Sequence, residues 1–133
     1  MPFGTDSQHV LVSDFNSDFH LDCFICQAGD PNQLFYGDGT GQFTAGPQLG
    51  TAQDSWDSAS GDVNQDGYVD LLIANTGVNE LYMGGAGGFS PTDIAALGLS
   101  SSLSTSRSVE VADLNNDGCE TPTPLFPTHH FFQ

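Results

Sequence analysis

The segment that most constrains this chain is an acidic loop, residues 62–70, which runs directly into the apolar stretch 71–74. Carboxylate or amide side chains stand at its positions 1, 3, 5 and 9, and glycine stands at position 6. Ca²⁺ takes roughly six to eight oxygen ligands, and a short loop of alternating side chains supplies them together with the main-chain carbonyl of position 7. The predicted ligands of this loop are Asp62, Asn64, Asp66, the carbonyl of Tyr68, and Asp70.

An EF-hand loop begins with the same pattern, but it needs a bidentate glutamate at position 12 and a helix on each side. Position 12 here is Ile73, within a run of apolar residues that indicates a buried strand. We therefore predict that Asp70 closes the site and that a strand leaves it, which excludes calmodulin-like and dockerin-like helical pairs. Mg²⁺ fits less well than Ca²⁺ because it demands compact octahedral geometry and keeps its waters.

The loop pattern occurs three times, which identifies a repeat protein. The first aspartates of the three loops stand at positions 14, 62 and 113, which are 48 and 51 residues apart. This spacing suits a four-stranded unit better than a helical solenoid repeat. The ligands predicted in the other two loops are Asp14, Asn16, Asp18, the carbonyl of His20 and Asp22 in the first, and Asp113, Asn115 and Asp117 in the third.

The three loops are not expected to bind Ca²⁺ equally well. The second loop keeps every element, whereas the first has Phe19 in place of glycine. If position 6 needs a positive φ angle, a bulky side chain there costs about 1–3 kcal/mol. The third loop has Thr121 at position 9, and Glu120 is one residue out of register. The predicted order of affinity is second, first, third; for each loop the alternative is an Asx-rich turn that caps a strand without metal.

Similarity between the units extends beyond the loops. The pattern Asn-x-Leu followed by Phe or Tyr recurs at residues 32–35 and 79–82, and glycine-containing turns end at Phe43 and Phe89. Together with the three loops, these motifs resemble the FG-GAP or VCBS repeats of integrin-alpha-like β-propellers over roughly residues 8–120. The resemblance implies an all-β fold of tandem four-stranded propeller-type blades, stiffened by Ca²⁺ and used for extracellular binding or cell adhesion.

The predicted architecture is an incomplete propeller with two blades and the start of a third. Propellers close with about four to eight blades, so we expect open sheet edges, which favour self-association. We therefore expect the chain to be a fragment of a larger propeller, a truncated gene product, or a protomer that completes its fold by association. The predicted segments are a disordered lead-in at 1–7, a first repeat at 8–50, a second repeat at 51–97, a linker at 98–105, the start of a third repeat at 106–120 and an irregular proline-rich tail at 121–133.

The charge of the chain restricts its partners. It has 17 acidic residues and a single basic one, Arg107, which gives a formal net charge of −16. Affinity for nucleic acid is built from Lys and Arg, so we predict no nucleic-acid partner, and we expect no binding to anionic membrane surfaces for the same reason. No apolar run approaches the length of a transmembrane helix. Residues 1–7 lack the basic start and apolar core of a signal peptide, so any export signal is expected outside this chain.

The sequence carries no recognisable catalytic signature. It has no Gly-x-Ser-x-Gly elbow, phosphate-binding lysine loop or zinc-protease helix. Cys23 and Cys26 have the spacing of a zinc or redox motif, but residues three apart on a strand point to opposite faces, which predicts a structural role. The first hypothesis is therefore a noncatalytic calcium-binding module with an extracellular protein or glycan partner. The alternatives are the scaffold or substrate-binding part of an exported polysaccharide-acting enzyme, and a remnant that cannot fold alone.

Overall fold

The computed structural model describes residues 6–97 and 104–112 of the 133-residue chain. These residues form two four-stranded antiparallel sheets, which confirms the predicted all-β fold of tandem four-stranded units. Nothing helical within the described ranges is long and apolar enough to cross a membrane. The third acidic loop, with Asp113, Asn115 and Asp117, and the predicted tail at 121–133 lie outside the described residues.

Each sheet is a meander in which every strand pairs with the next one along the chain. Short turns allow this order, because antiparallel neighbours need only a tight connection. A 3-10 turn, Ile94–Leu97, follows the last strand of the second sheet. The strands are β1 (Ser7–Ser13), β2 (Asp22–Gln27), β3 (Asn32–Gly37) and β4 (Phe43–Leu49) in the first sheet, β5 (Ser55–Gly61), β6 (Asp70–Gly77), β7 (Glu80–Met83) and β8 (Ser90–Thr92) in the second, and a short β9 (Ser104–Thr105).

Three local features differ from the sequence-based expectation. β1 begins at Ser7, inside the predicted lead-in, because this residue pairs with the end of β2. β9 lies in the predicted linker and pairs with the end of β6, so the second sheet is extended there. Residues 107–111, whose sequence alternates as a strand would, are not part of one; the N–H of Val109 donates instead to the Asp57 side chain, at 3.0 Å.

The first hydrophobic core lies between the two sheets. Side chains of β2 and β3 pack there against side chains of β6, and Phe15 of the first loop meets Phe89 edge-on with ring centroids 5.9 Å apart. The alternation of the strands decides which residues take part, since only one face of the first sheet points to the second. The buried members of this core are Phe15, Phe24, Cys26, Leu34, Leu49, Leu71 and Ile73.

A second core covers the far side of the second sheet. Leu72, Ala74 and Leu81 are buried there beneath Ile94 and Val109. Both faces of β6 are therefore covered, which accounts for its nearly continuous apolar run. Because Ile73 lies within this buried strand, the EF-hand alternative is excluded as predicted.

One hydrogen bond is repeated where each unit meets the next. Asn32 Nδ2 donates to Ser55 Oγ, and Asn79 Nδ2 donates to Ser106 Oγ, both at 2.9 Å. The Oδ1 of each asparagine accepts a backbone N–H from the second strand of its own sheet. The asparagine that begins each Asn-x-Leu motif thus joins its own sheet to the first strand region of the following unit.

Asp57 also connects three units. His9 Nδ1 lies 3.1 Å from Asp57 Oδ1, and the Ser108 hydroxyl donates to Asp57 Oδ2 at 2.9 Å. Each of these three residues stands five positions before the first aspartate of its acidic loop. Equivalent positions of successive units are therefore neighbours in space, as tandem blades require.

Candidate metal centre

The exposed end of the second loop is organised around the N–H of Asp66. This group donates to Asp62 Oδ1 at 3.1 Å and to Asn64 Oδ1 at 3.0 Å. Asp62 Oδ2 accepts a further N–H from Gly67 at 2.8 Å. Because two side-chain oxygens approach the same nitrogen, the predicted ligands at positions 1 and 3 lie on one side of the loop.

The carboxylate of Asp66 completes this arrangement. Its Oδ1 accepts the N–H of Tyr68 at 2.9 Å, and its Oδ2 accepts Asn64 Nδ2 at 2.9 Å. A carboxylate oxygen has more than one lone pair, so these bonds leave acceptor capacity for a cation. The loop therefore brings together the side chains of Asp62, Asn64 and Asp66, and the N–H of Tyr68 contacts the last of them.

Asp70, the predicted closing ligand, has a different environment. Its side chain is buried, and its two oxygens accept the N–H groups of Val63 and Gly84, each at 2.8 Å. Burial raises the pKa of the Asp70 carboxyl; the bonds from Gly84 and Val63 oppose this shift, and the charges of Asp66 and Asp62 add to it. Asp70 thus ties the start of the loop to the end of β7, a structural role that the ligand pattern did not reveal.

The exposed end of the first loop repeats the second. Asp14 accepts the N–H groups of Asp18 at 3.2 Å and Phe19 at 2.8 Å, and Asn16 Oδ1 accepts the same Asp18 N–H at 3.1 Å. Asp18 accepts Asn16 Nδ2 at 2.9 Å and the N–H of His20 at 2.8 Å. These bonds from Asn16 and His20 lower the pKa of the Asp18 carboxyl, which keeps it ionised.

The buried end of the first loop also has the same hydrogen bonds as that of the second. Asp22 is fully buried and accepts the N–H of Phe15 at 2.8 Å and of Gly37 at 2.9 Å. It stands where Asp70 stands in the second loop, and Gly37 stands where Gly84 does.

The structure therefore brings together the first three predicted side chains of each described loop at its exposed end. His20 and Tyr68 donate their N–H groups to the third of these side chains. Asp22 and Asp70 are buried and bonded to main-chain N–H groups instead.

Both loops use left-handed backbone at the same two positions. Position 4 has a φ of 61° at Ser17 and 64° at Gln65, and position 6 has a φ of 68° at Phe19 and 87° at Gly67. The condition on position 6 is thus met, and Phe19 adopts an angle that favours glycine. Its side chain is 95% exposed, so packing offsets little of the cost.

Two glycines belong to the loops although they lie outside the acidic pattern. Gly37 and Gly84 donate their N–H groups to the buried aspartates, and a Cβ at either position would overlap the carbonyl oxygen of Leu21 or Val69. Sequence reasoning missed this role. The available signal was that the same glycine ends both Asn-x-Leu motifs.

The oxygen-rich donor set of each loop fits a hard cation such as Ca²⁺. Within the part of the chain that the structure describes, no three His, Cys, Asp or Glu side chains assemble a site by themselves, so each loop would need its Asn and carbonyl oxygens as well. Arg107, the only Lys or Arg of the chain, lies over the Trp56 ring at 4.7 Å from its centroid. Neither described loop is therefore neutralised by a basic side chain of this kind.

Comparison with known proteins agrees with the repeated geometry. A family model described as an FG-GAP-like repeat matches residues 14–73 and again residues 62–120. Each match begins at the first aspartate of an acidic loop, and together they span most of the chain. A search of curated proteins finds no match. The matched repeats, their four-stranded sheets and their shared loops show that the chain belongs to the FG-GAP-like repeat family.

Proposed function

We propose that this protein is a noncatalytic, calcium-stabilised β-propeller-like module that binds an extracellular protein or glycan. One observation carries the proposal: the two described loops repeat the same hydrogen-bond network and present Asp, Asn and Asp oxygens at the exposed end. Such repetition is expected when both loops serve one ligand chemistry. The oxygen donors support Ca²⁺ as that ligand.

Electrostatics supports a stabilising role for the cation. Asp62, Asp66 and Asp70 lie close enough for the first two charges to raise the pKa of the third. A bound Ca²⁺ would favour the ionised form of all three carboxylates and hold β5 and β6 at a fixed angle. This role needs no contact between the ion and a partner, so we propose that calcium stiffens the module.

The family supports an extracellular location, because FG-GAP repeats are typical of extracellular proteins. Extracellular calcium modules bind with dissociation constants of about 10⁻⁴–10⁻³ M. Ser17, Phe19 and Gln65 hold positive φ angles in the two loops. We expect the cost of this backbone strain to weaken calcium binding toward this range. With a formal charge of −16, the surface favours neutral or basic protein and glycan partners over anionic ones.

Equilibrium dialysis of the full chain against Ca²⁺ tests the proposal. We expect saturable binding with a stronger site that Asp66→Ala removes and a weaker site that Asp18→Ala removes. Asp30→Ala is the matched control, since Asp30 is exposed and lies outside the loops. Phe19→Gly is expected to tighten the weaker site by about tenfold or more, because glycine adopts a positive φ without strain. Binding of Mg²⁺ that equals that of Ca²⁺, or Ca²⁺ binding that survives both loop variants, contradicts the proposal.

A further inference from the structure

A cavity of about 360 Å³ opens beside β7 in the second sheet. Its walls are residues 78–82, which include most of β7, and residues 91–94, which lead from β8 into the 3-10 turn. Leu81, Pro91 and Ile94 are apolar residues of this lining, and Glu80 and Asp93 are its acidic residues. Apolar walls with a few polar groups, at this size, are typical of a ligand pocket.

The first unit has a strand where the second unit has this cavity. β4 continues far enough to pair Gln48 with Gln33. β8 is shorter, and its last residue, Thr92, pairs with Leu81. Glu80 corresponds to Gln33, so within the described strands it has a neighbour only on the β6 side. The cavity therefore lies in the space that a longer fourth strand fills in the first unit.

The side chain at this position also differs between the two units. Gln33 Nε2 donates to two main-chain oxygens, that of Leu34 at 2.7 Å and that of Gly46 at 2.8 Å. Glu80 has no side-chain N–H to donate. Its carboxylate instead accepts Asn75 Nδ2 at 2.9 Å and a backbone N–H of the loop before β5 at 3.2 Å. The donor that one amide nitrogen supplies in the first unit therefore has no counterpart on Glu80.

The two residues whose oxygens accept this amide have counterparts at the cavity. Leu81 corresponds to Leu34 in the repeated motif, and strand register makes Thr92 the counterpart of Gly46. Both Leu81 and Thr92 line the cavity. A carbonyl oxygen has two lone pairs, so a hydrogen bond within the sheet leaves one for a further donor. We therefore expect these two carbonyls to accept N–H groups from a ligand.

The charge around the cavity is negative. Glu80 and Asp93 belong to its lining, whereas Arg107, the only Lys or Arg of the chain, does not. Burial raises the pKa of the Tyr82 hydroxyl, and the charge of Glu80 adds to this rise, while the Gly50 N–H opposes it. The charge of Glu80 is therefore felt at the cavity wall that Tyr82 forms. Such a field favours a cationic ligand over a neutral or anionic one.

We propose that this cavity binds a primary ammonium group on an apolar stem, as the lysine side chain of a partner protein presents it. In the first unit a single nitrogen serves both carbonyl oxygens, and an ammonium nitrogen has enough N–H donors to serve both and a carboxylate as well. The methylene stem of lysine packs on apolar walls such as Leu81 and Ile94. This inference rests on the proposed binding function and names the chemical group of the partner, but none of the predicted calcium ligands lines the cavity.

Isothermal titration calorimetry of the full chain with Nα-acetyl-lysine N-methylamide tests the proposal. We expect saturable binding that weakens as NaCl is added, because salt screens the attraction between opposite charges. The same probe with a trimethylated ammonium keeps the charge but has no N–H on that nitrogen, so it should bind about tenfold more weakly or worse. Glu80→Gln should weaken lysine binding by a similar factor, because it removes a charge and introduces the amide that Gln33 carries in the first unit.

Glu110→Gln is the matched control, because Glu110 is exposed and outside the cavity lining, and its replacement should leave lysine binding nearly unchanged. Asp93→Asn keeps an oxygen for the Ala95 N–H, now 2.9 Å from Asp93 Oδ1, and should weaken binding several-fold even if Glu80→Gln disturbs the fold. Absence of saturable lysine binding overturns this inference whether or not the chain binds Ca²⁺, and equilibrium dialysis of the same sample against Ca²⁺ tests the proposed calcium role separately. Equal binding of the trimethylated probe, or wild-type affinity in both cavity variants, also overturns it.

Discussion

Asp22→Ala is expected to lower the free energy of unfolding by about 2–6 kcal/mol, because two buried N–H groups, each worth about 1–3 kcal/mol when unpaired, lose their acceptor. These donors are the N–H groups of Phe15 and Gly37, at 2.8 and 2.9 Å from the Asp22 oxygens. The loss falls at the junction between the first loop and β3. Urea denaturation with chelator present measures the effect without any contribution from metal.

Asp18→Ala provides the matched comparison within the same loop. Asp18 is exposed and Asp22 is buried, although both were predicted as calcium ligands. In chelator, we expect Asp18→Ala to change stability only slightly and Asp22→Ala to change it strongly. Equal effects of the two variants would show that the buried hydrogen bonds of Asp22 are not what distinguishes the two aspartates.

Gly84→Ala is expected to lower the free energy of unfolding by about 2–4 kcal/mol. The added Cβ would overlap the Val69 carbonyl oxygen, so the backbone must shift. That shift would also lengthen the hydrogen bond from the Gly84 N–H to Asp70, which is 2.8 Å in the structure. For a domain of this size, the loss corresponds to a fall in Tm of about 10 °C or more.

Gly87→Ala is the control for this substitution. Gly87 lies in the same turn region, has no positive φ angle, and has open space where the Cβ would be placed. Replacement there should leave the melting temperature nearly unchanged or raise it slightly, because alanine reduces the entropy of the unfolded chain. If Gly84→Ala and Gly87→Ala melt alike, the close approach of Gly84 to Val69 is not a constraint on the fold.

The repeat spacing was sufficient to predict the architecture. Acidic loops followed by apolar strands, at an interval that fits four strands, led to two meandering sheets that the structure contains. The requirement for positive φ at position 6 was also accessible, because Gly67 is the residue type that tolerates it. Residue chemistry and sequence repetition were therefore sufficient to predict the two sheets and the backbone conformation at position 6 of the loops.

The roles of Asp22 and Asp70 were not accessible in the same way. A pattern of alternating carboxylates states which residue types occur, but it does not say which of them the fold buries. Burial is decided by β3 and β7, whose ends approach the loops from elsewhere in the sequence and supply the N–H donors of Gly37 and Gly84. In the structure, Asp22 and Asp70 therefore hold the backbone through hydrogen bonds. That they also bind a metal ion is a proposal.

Contacts between units were beyond the sequence for a related reason. Repetition shows that Asn32 and Asn79 are equivalent, but it does not show that each donates to a serine of the next unit. Likewise, the alternation of β1 places Val10 and Val12 on the same face of their strand, but it does not show which face meets the second sheet. Which face of a strand meets a neighbour depends on how sheets stack, and pattern alone does not fix that.

The thermal melt of the isolated chain, first in excess chelator and then across added Ca²⁺, tests the central claim most directly. Binding to the folded state alone stabilises by about 2.7 kcal/mol at a hundredfold excess over the dissociation constant, which corresponds to a rise of about 10 °C or more in Tm. We predict such a rise and predict that Asp66→Ala removes most of it while Asp30→Ala retains it. A cooperative melt at the same temperature with and without Ca²⁺ would contradict the account, because the two loops would then be turns that bind no metal.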